Sequence, residues 1–256
     1  MSYSRTEDII KDITGTMEFS ILVPAYNEES NIIRTIQETE KVLEDFNHDY
    51  EIIIINDGST DNTAANVADY LSKNNKKVRL EGYFPNKGKG YALQYGTGFS
   101  SGRYVLFMDA DLDLHPSHLV ELYKIMEKNN ADIVIGSKMH EQSELNYPLY
   151  RRFLSSVYYL IVKVLFRLPV KDTQTGIKLF KSEALKKCIS KVTIKRYAFD
   201  LELLLIANRY KYKIFEAPIH LRAKREAGRI GIKDAIKVFA DTIGVFGRLY
   251  FKRYYQ

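Results

Sequence analysis

Three acidic residues follow a short apolar segment near the middle of the chain. Residues 104–108 read Tyr-Val-Leu-Phe-Met, and Asp109, Asp111 and Asp113 come after them at alternate positions. Such an apolar run is typical of a buried strand in a parallel sheet, where ligands bind at the carboxyl ends of strands. Neighbouring carboxylates repel one another unless a cation lies among them, and oxygen ligands select Mg²⁺ or Mn²⁺. The segment therefore predicts a metal and nucleotide-diphosphate site with these three aspartates as ligands.

The same residues also fit a simpler interpretation, an acidic turn in which Asp113 caps a helix that begins near Pro116. Other polar loops favour the metal site, because they follow the neighbouring predicted strands at residues 24–30, 57–61 and 85–90. In a parallel sheet these loops meet at one rim, where helix N-termini attract phosphate. Tyr26 could stack on a nucleobase at this rim, and Asp57 could accept a hydrogen bond from a base or a ribose.

Strand and helix patterns alternate along the first half of the chain. The predicted strands cover residues 18–23, 50–56, 78–82, 104–108 and 132–137, with amphipathic or capped helical segments between them. This alternation predicts an α/β fold with a Rossmann-like, mostly parallel sheet flanked by helices. Neither G-x-G-x-x-G after the first strand nor G-x-x-x-x-G-K-[ST] occurs, which excludes the usual dinucleotide and P-loop sites.

Two later segments predict helices that lie in a membrane interface. Residues 149–168 form an apolar helical pattern with one narrow polar stripe, which fits either a core helix or, as we favour, an in-plane interfacial helix. A second amphipathic helix near the C-terminus is followed by aromatic residues interleaved with cations, a mixture that suits the headgroup layer. No apolar run is long enough to predict a transmembrane helix.

Net charge and cysteine content limit the cellular compartments and the binding partners that fit this chain. The 256-residue chain has a formal net charge of +6, which suits phosphates or an anionic membrane, and it contains no recognised nucleic-acid module. The single cysteine, Cys188, excludes an internal disulfide framework and fits a packed apolar position in a reducing compartment. We therefore expect a cytoplasmic protein that attaches peripherally to the cytoplasmic face of a membrane and does not bind nucleic acid.

Four motifs on the predicted rim carry a family resemblance. The segments are VPAYNE at 23–28, NDGSTD at 56–61, NKGKG at 86–90 and DAD at 109–111. Together and in this order they resemble the signature of family 2 glycosyltransferases, which have the GT-A fold. Later segments at 136–138, 151–155, 172–180 and 199–202 are similar to the dolichyl- and polyprenyl-phosphate glycosyltransferases. The resemblance covers roughly residues 19–221.

The resemblance implies a metal-dependent, inverting transfer of a hexose from a UDP- or GDP-sugar to dolichyl or polyprenyl phosphate. The hexose could be glucose, mannose or an N-acetylhexosamine, and the cofactor Mg²⁺ or Mn²⁺. A second hypothesis is transfer to a hydroxyl of a glycan, protein or lipid, with Asp200 as general base. A third is a non-catalytic nucleotide-sensing or membrane-docking module that keeps the fold.

The resemblance also implies roles for individual residues. Catalytic roles fall on Asp109, Asp111, Arg151 and Asp200. Contacts with the nucleotide sugar fall on Pro24, Tyr26, Glu28, Asp57, Lys87, Ala110, Gln174, Lys178, Glu202 and Arg229. The residues implied to bind the acceptor phosphate are Lys138, Arg151 and Ser155. A phosphate monoester is already anionic near neutral pH because its second pKa is about 6, so no general base is obligatory. Asp200 and Glu202 are then expected to position the sugar or Lys178.

The domain organisation follows from these segments. We expect a polar leader at residues 1–17, a GT-A catalytic domain at 18–222, and a basic loop with an amphipathic C-terminal helix at 223–256.

Overall fold

The structure is a computed structural model that describes residues 17–74, 77–145, 149–196, 198–221, 232–252 and 254–255. Its strands are β1 (Phe19–Ala25), β2 (Tyr50–Asp57), β3 (Val78–Tyr83), β4 (Tyr104–Phe107), β5 (Ile133–Ser137), β6 (Glu144–Leu145), β7 (Lys178–Lys181), β8 (Ile214–Pro218) and β9 (His220–Leu221). Its helices are α1 (Ile32–Phe46), α2 (Thr63–Asn74), α3 (Lys89–Thr97), α4 (His118–Asn129), α5 (Leu149–Phe166), α6 (Ser182–Ile189), α7 (Phe199–Arg209) and α8 (Ile232–Tyr250). The predicted leader, apart from Met17, and the basic loop at 222–231 lie outside the described residues.

Seven strands form one sheet in the order β3-β2-β1-β4-β7-β5-β8, and β6 pairs with β9 separately. Neighbours in the large sheet are parallel except at β7, which runs antiparallel to both β4 and β5. The predicted mostly parallel sheet is therefore confirmed. Pro24 was expected to end the first strand, but β1 continues to Ala25. The β1–β4 register ends at Leu22, and a strand with a free side tolerates proline.

Helices cover both faces of the sheet and create two apolar cores. Alternate residues of β2 serve the two sides, as the two-residue period of a strand requires. Ile52 and Ile54 pack in the core formed with α1, α2 and α4, whereas Ile53 and Ile55 pack in the core formed with α3, α5, α6, α7 and α8. Cys188 is fully buried in the second core, and burial raises the pKa of its thiol to about 12. The expectation of a packed, unreactive cysteine is thus confirmed.

Helices α5 and α8 pack side by side and divide their apolar residues between the core and the surface. Val162 and Phe166 of α5 and Val245 of α8 are buried in the core. The Tyr158 hydroxyl lies 3.2 Å from Thr242 Oγ1 and links the two helices. Other apolar side chains are exposed, namely Val157, Leu160, Val164, Phe239, Ile243 and Tyr250. α5 is therefore at once a core helix and the carrier of an exposed apolar surface.

Phe246 of α8 packs toward α5, whereas Ile243 is exposed. The Phe246 ring is 6.1 Å from that of Phe166, and it is partly buried against the core. Within the described ranges, no helix is both long and apolar enough to cross a membrane.

The carboxylate of Glu202, in the first turn of α7, joins the loop before this helix to the C-terminal segment. It is fully buried and accepts hydrogen bonds from the Thr193 N–H at 2.8 Å, the Thr193 hydroxyl at 2.7 Å and the Ile194 N–H at 2.7 Å. Arg248 Nε donates to it at 3.2 Å, and the Tyr255 hydroxyl donates as well. This carboxylate is saturated by the chain itself.

Glu202 therefore has a structural role in place of the sugar contact that the resemblance implied. The physical reason is helical geometry, because side chains two residues apart on a helix do not share a face. Asp200 and Glu202 consequently point in different directions, and Asp200 contacts Lys178 at the sheet.

Replacing Glu202 by alanine should lower the free energy of unfolding by about 3 kcal/mol, because Arg248 loses a buried counter-ion. Urea unfolding followed by circular dichroism measures the loss. Glu38→Ala is the matched control, since Glu38 forms a partly exposed ion pair with Arg34 at 3.8 Å, and it should cost less than about 1 kcal/mol. Equal losses in the two variants would contradict the structural role of Glu202.

Candidate active site

The four polar loops meet at the carboxyl edge of the sheet, as predicted. The Asn27 N–H donates to Ser59 Oγ at 3.1 Å, and the Glu28 N–H donates to Thr63 Oγ1 at 2.8 Å, which joins the loops after β1 and β2. The Ala110 carbonyl, in the loop after β4, accepts from Thr35 Oγ1 at 2.6 Å. Tyr26 is exposed at this edge, whereas Pro24 lies partly buried in β1 and Glu28 is buried.

Asp57 organises the loop that follows β3. Its two carboxylate oxygens accept hydrogen bonds from the Tyr83 hydroxyl at 2.8 Å, Asn86 Nδ2 at 2.8 Å, the Lys87 N–H at 2.8 Å and the Gly88 N–H at 2.9 Å. Burial, reinforced by this carboxylate, raises the pKa of Tyr83, so its hydroxyl stays a donor. Asp57 thus positions the turn that carries Lys87, and its contact with a nucleotide stays a prediction.

The three predicted metal ligands do not form one cluster. β4 ends at Phe107, and Leu112 adopts a left-handed backbone conformation with φ of 59°, so residues 109–113 form a turn. The Asp113 N–H donates to Asp111 Oδ1 at 3.1 Å within this turn. Among the residues that the structure describes, no group of three or more His, Cys, Asp or Glu side chains is arranged to hold a metal ion. The alternating arrangement required an extended chain, and the turn removes it.

Asp113 is also not the helix cap of the simpler interpretation, since Ser117 occupies the N-cap position of α4. Asp109 and Asp111 both favour the positive charge of Lys89, whereas the role of Asp113 as a third ligand stays a prediction. Mg²⁺ commonly uses only one or two carboxylates and takes its remaining ligands from water and substrate phosphates.

Lys89 supplies the positive charge at this edge. Its ammonium group forms an ion pair with Asp109 Oδ1. Desolvation acts to lower the pKa of Lys89, but the carboxylates of Asp109, Asp200 and Asp111 outweigh it and raise that pKa. The ammonium group thus occupies a position where a cation is favoured by three carboxylates. This is the property that a divalent cation requires, so the residues present fit a metal ion held by Asp109 and Asp111.

Gly176 leaves the space that the Asp109 carboxylate fills. A Cβ atom built on Gly176 would collide with Asp109 Oδ2, so residue 176 must be glycine for this carboxylate to keep its place. The segment 172–176 therefore packs directly against the candidate metal ligand, although the two are far apart in the sequence.

Lys178 and Asp200 form a buried ion pair beside this cluster. Lys178 Nζ donates to Asp200 Oδ1 at 2.7 Å and also to the Thr175 carbonyl. Burial lowers the pKa of Lys178, while the Asp200 carboxylate opposes that change. The structure thus brings together Lys178 and Asp200, as predicted. Gln174 Nε2 is buried nearby and has no hydrogen-bond partner within the described part of the chain.

Lys138, a predicted ligand of the acceptor phosphate, is compensated by Asp172. The two side chains lie 3.8 Å apart, and the Lys138 N–H donates to Asp172 Oδ2 at 3.0 Å. Desolvation would raise the pKa of Asp172, but Lys138 and the Thr175 hydroxyl, among its partners, lower it. Lys138 would therefore share its charge with Asp172 when it binds an anion.

The remaining predicted residues are only partly described. Arg151 and Ser155 lie on α5, but the structure describes the side chains of this helix only from residue 156 onward. Arg229 lies outside the described residues. Sequence reasoning missed Lys89 and Asp172 as site residues. The repeated Lys-Gly pattern at 87–90 contained the only signal for Lys89, and nothing in the sequence marked Asp172 as the partner of Lys138.

Comparison with known proteins gives a consistent picture. The family model described as glycosyl transferase family 2 matches residues 20–189. A dolichyl-phosphate beta-glucosyltransferase from Trichomonas vaginalis is 34% identical over 243 residues, which are 90% of this chain and 74% of that protein. A dolichyl-phosphate beta-glucosyltransferase from Dictyostelium discoideum is 36% identical over 223 residues, which are 82% of this chain and 68% of that protein.

Solved structures share the fold. Glucosyl-3-phosphoglycerate synthase from Mycobacterium tuberculosis, crystallised with Mn²⁺, UDP-glucose and phosphoglyceric acid, aligns with a TM-score of 0.66 at 19% identity. The alignment covers 93% of this chain and 82% of that one. The predicted GT-A fold is confirmed at this level of similarity. The extent of the family match and the identity to these relatives lead to one conclusion, that the chain belongs to glycosyl transferase family 2.

Proposed function

We propose that this protein transfers glucose from UDP-glucose to dolichyl phosphate and so forms a lipid-phosphate-linked β-glucoside. The observation that carries this proposal is the 32–36% identity to relatives named dolichyl-phosphate beta-glucosyltransferase over most of the chain. UDP as the nucleotide is supported by the fold neighbour that binds UDP-glucose. The β configuration agrees with inversion at the anomeric carbon.

The carboxyl edge of the sheet is the proposed donor site. Asp109 and Asp111 would hold a divalent cation, Mg²⁺ or Mn²⁺, which would neutralise the diphosphate as it leaves. Lys89 lies beside the same carboxylates and can add positive charge to the departing group. Tyr26 is exposed at this edge for stacking on the base, and the buried nitrogen of Gln174 can donate to a sugar hydroxyl.

The acceptor needs a cationic seat more than it needs a base. Its phosphate has a second pKa of about 6 and is largely dianionic at neutral pH. Asp200 is paired with buried Lys178, which favours a positioning role for Asp200 over proton abstraction from a hydroxyl. Lys138, Arg151 and Ser155 remain the proposed contacts of the lipid phosphate.

The exposed apolar residues of α5 and α8 form the proposed membrane-facing surface, which consists of Val157, Leu160, Val164, Phe239, Ile243 and Tyr250. They are spaced at intervals that place them on one side of each helix. A group of exposed apolar side chains on neighbouring helices is typical of a membrane or protein contact. Because the proposed acceptor is a lipid, we propose that this surface contacts the membrane.

The purified protein, incubated with Mg²⁺, dolichyl phosphate and radiolabelled UDP-glucose, should form an organic-soluble glucosyl lipid. Asp109→Asn should reduce the rate about a hundredfold, because it removes a carboxylate that would hold the cation at the leaving diphosphate. Asp69→Asn is the matched control and should retain most of the activity, since Asp69 is an exposed residue of α2 whose carboxylate pairs with Lys73.

Labelling of a glycan or protein acceptor, with no labelled lipid for any common sugar nucleotide, would contradict the proposed acceptor. Asp200→Asn is a second test of the acceptor. Loss of all turnover with unchanged UDP binding would indicate that Asp200 acts as a general base and would therefore favour a hydroxyl acceptor.

Gly176→Ala should reduce glucose transfer about a hundredfold, because the new methyl group displaces the Asp109 carboxylate and misplaced catalytic groups cost about that much. The melting temperature should change little, since the three atoms nearest to the new methyl group all belong to the Asp109 side chain and not to the backbone. Gly247→Ala serves as control, because a Cβ at that position meets no atom within 4 Å. Full activity of Gly176→Ala would show that the position of Asp109 is not critical.

The triple change Leu160→Gln, Val164→Gln and Ile243→Gln should weaken flotation with vesicles that contain anionic lipid by about tenfold or more, since each replacement removes roughly 1 kcal/mol or more of buried apolar contact. Phe215→Gln is the matched control, because Phe215 is an exposed apolar residue on β8, away from α5 and α8. Equal flotation of the triple variant and the control would argue against this surface.

A further inference from the structure

The loop before α7 forms a wall of the proposed donor site that the sequence did not indicate. The Lys195 carbonyl accepts a hydrogen bond from the Tyr91 N–H at 3.0 Å, and Arg196 Nη2 donates to Asn86 Oδ1 at 3.4 Å. A Cβ atom on Gly88 would lie 2.6 Å from Arg196 Cγ, so the two loops are in close contact. Residues 195 and 196 thus lie against the turn that Asp57 organises.

Three cationic side chains collect at this contact. Lys87 Nζ and Lys195 Nζ lie 4.5 Å and 5.1 Å from the centroid of the same ring, that of Tyr91. The Arg196 side chain packs against Gly88, the residue that follows Lys87. Lys195 and Arg196 are exposed, and Lys87 is partly buried. We call Lys87, Lys195 and Arg196 the cationic rim.

Among the described residues, the cationic rim lacks the acidic partners that other cations of this region have. Lys89, one residue beyond the turn, is paired with Asp109, Lys178 is paired with Asp200, and Lys138 is paired with Asp172. In the described part of the chain, no carboxylate forms an ion pair with any member of the cationic rim. Cations that form no ion pair with the chain can bind an anion without first breaking such a pair.

The loop that carries this rim is held rigidly. The buried Glu202 carboxylate accepts from the N–H groups of Thr193 and Ile194, directly before Lys195. The chain therefore fixes the positions of Lys195 and Arg196 before any ligand arrives, which lowers the entropy cost of binding. Lysines that are only exposed to solvent and bind no ligand do not require such an anchor.

We propose that the cationic rim is a binding site for a phosphoryl group. An arginine fork can bind two phosphate oxygens at once, and lysines add point charges without geometric demands. This inference rests on the proposed function for the identity of its ligands, because the two substrates of the reaction both carry phosphoryl groups. The source is either the diphosphate of the nucleotide sugar or the monophosphate of the lipid.

The test uses the full-length double variant Lys195→Gln/Arg196→Gln, which removes two charges and keeps side-chain size. Lys191→Gln/Arg209→Gln is the matched control, because both residues are exposed and lie outside the rim. Isothermal titration calorimetry measures binding of uridine and of UDP, and the transfer assay measures KM for dolichyl phosphate. The double variant should lose about tenfold in one phosphate-dependent quantity, since charge-assisted contacts contribute about that much.

The two arms separate the sources of the phosphoryl group. Weaker UDP binding with unchanged uridine binding assigns the rim to the donor, whereas a raised KM for dolichyl phosphate with unchanged UDP binding assigns it to the acceptor. Equal weakening of uridine and UDP would overturn the proposal, because the contact would then involve the nucleoside. Values equal to those of the control variant would also overturn it.

Failure of the proposed function can be distinguished from failure of this inference. A wild-type protein that transfers no glucose to dolichyl phosphate, but loses UDP affinity when the rim is neutralised, would reject the acceptor and retain the phosphoryl site. A wild-type protein that binds neither UDP nor dolichyl phosphate would overturn both.

Discussion

Lys89 forms an ion pair with Asp109, and the carboxylates of Asp200 and Asp111 also favour its positive charge; this balance of charge governs the carboxyl edge of the sheet. Partly buried carboxylates this close to one another are costly unless a cation lies among them. The chain supplies that cation from the first residue of α3, which follows the turn that Asp57 holds in place. The same arrangement gives the site its chemistry, because groups that stabilise one positive charge can bind a metal or share a lysine with a diphosphate.

The carboxylates of this region fall into two physical classes. Asp57 and Glu202 are buried and accept four or more hydrogen bonds from the chain itself, so they hold loops in position. Asp109 is partly exposed, with 37% of its side chain accessible, and it forms an ion pair with Lys89. A carboxylate with remaining acceptor capacity can bind a ligand, whereas a saturated one would first have to break bonds in the fold.

Glu202 also relates the proposed membrane surface to the proposed donor site. It accepts from Arg248 at the end of α8 and from Thr193 and Ile194, which precede the cationic rim. The helix that exposes Phe239 and Ile243 is therefore attached through one buried carboxylate to the loop beside Gly88. In the proposed reaction a lipid acceptor and a soluble donor meet at this enzyme, and Glu202 joins the two proposed surfaces through the chain.

The sequence by itself determined the layered α/β fold, the parallel strands and the convergence of the four loops. Each of these depends on local information, namely runs of apolar residues such as Ile52–Ile55, turn residues after each strand, and the rule that parallel strands end at one edge. The motifs at 23–28, 56–61, 86–90 and 109–111 were likewise sufficient to indicate the family. Only the tertiary structure decided which polar residues face a ligand.

Spacing suggested that Glu202 acts with Asp200, but the pitch of α7 directs the Glu202 carboxylate to Thr193 and Arg248. Spacing also grouped Asp113 with Asp109 on an extended chain, whereas a left-handed residue at Leu112 makes this segment a turn. The pairs Lys89–Asp109, Lys138–Asp172 and Lys178–Asp200 join residues that are 20, 34 and 22 positions apart. Charge pairing across such distances depends on how the loops pack, and no local pattern records it.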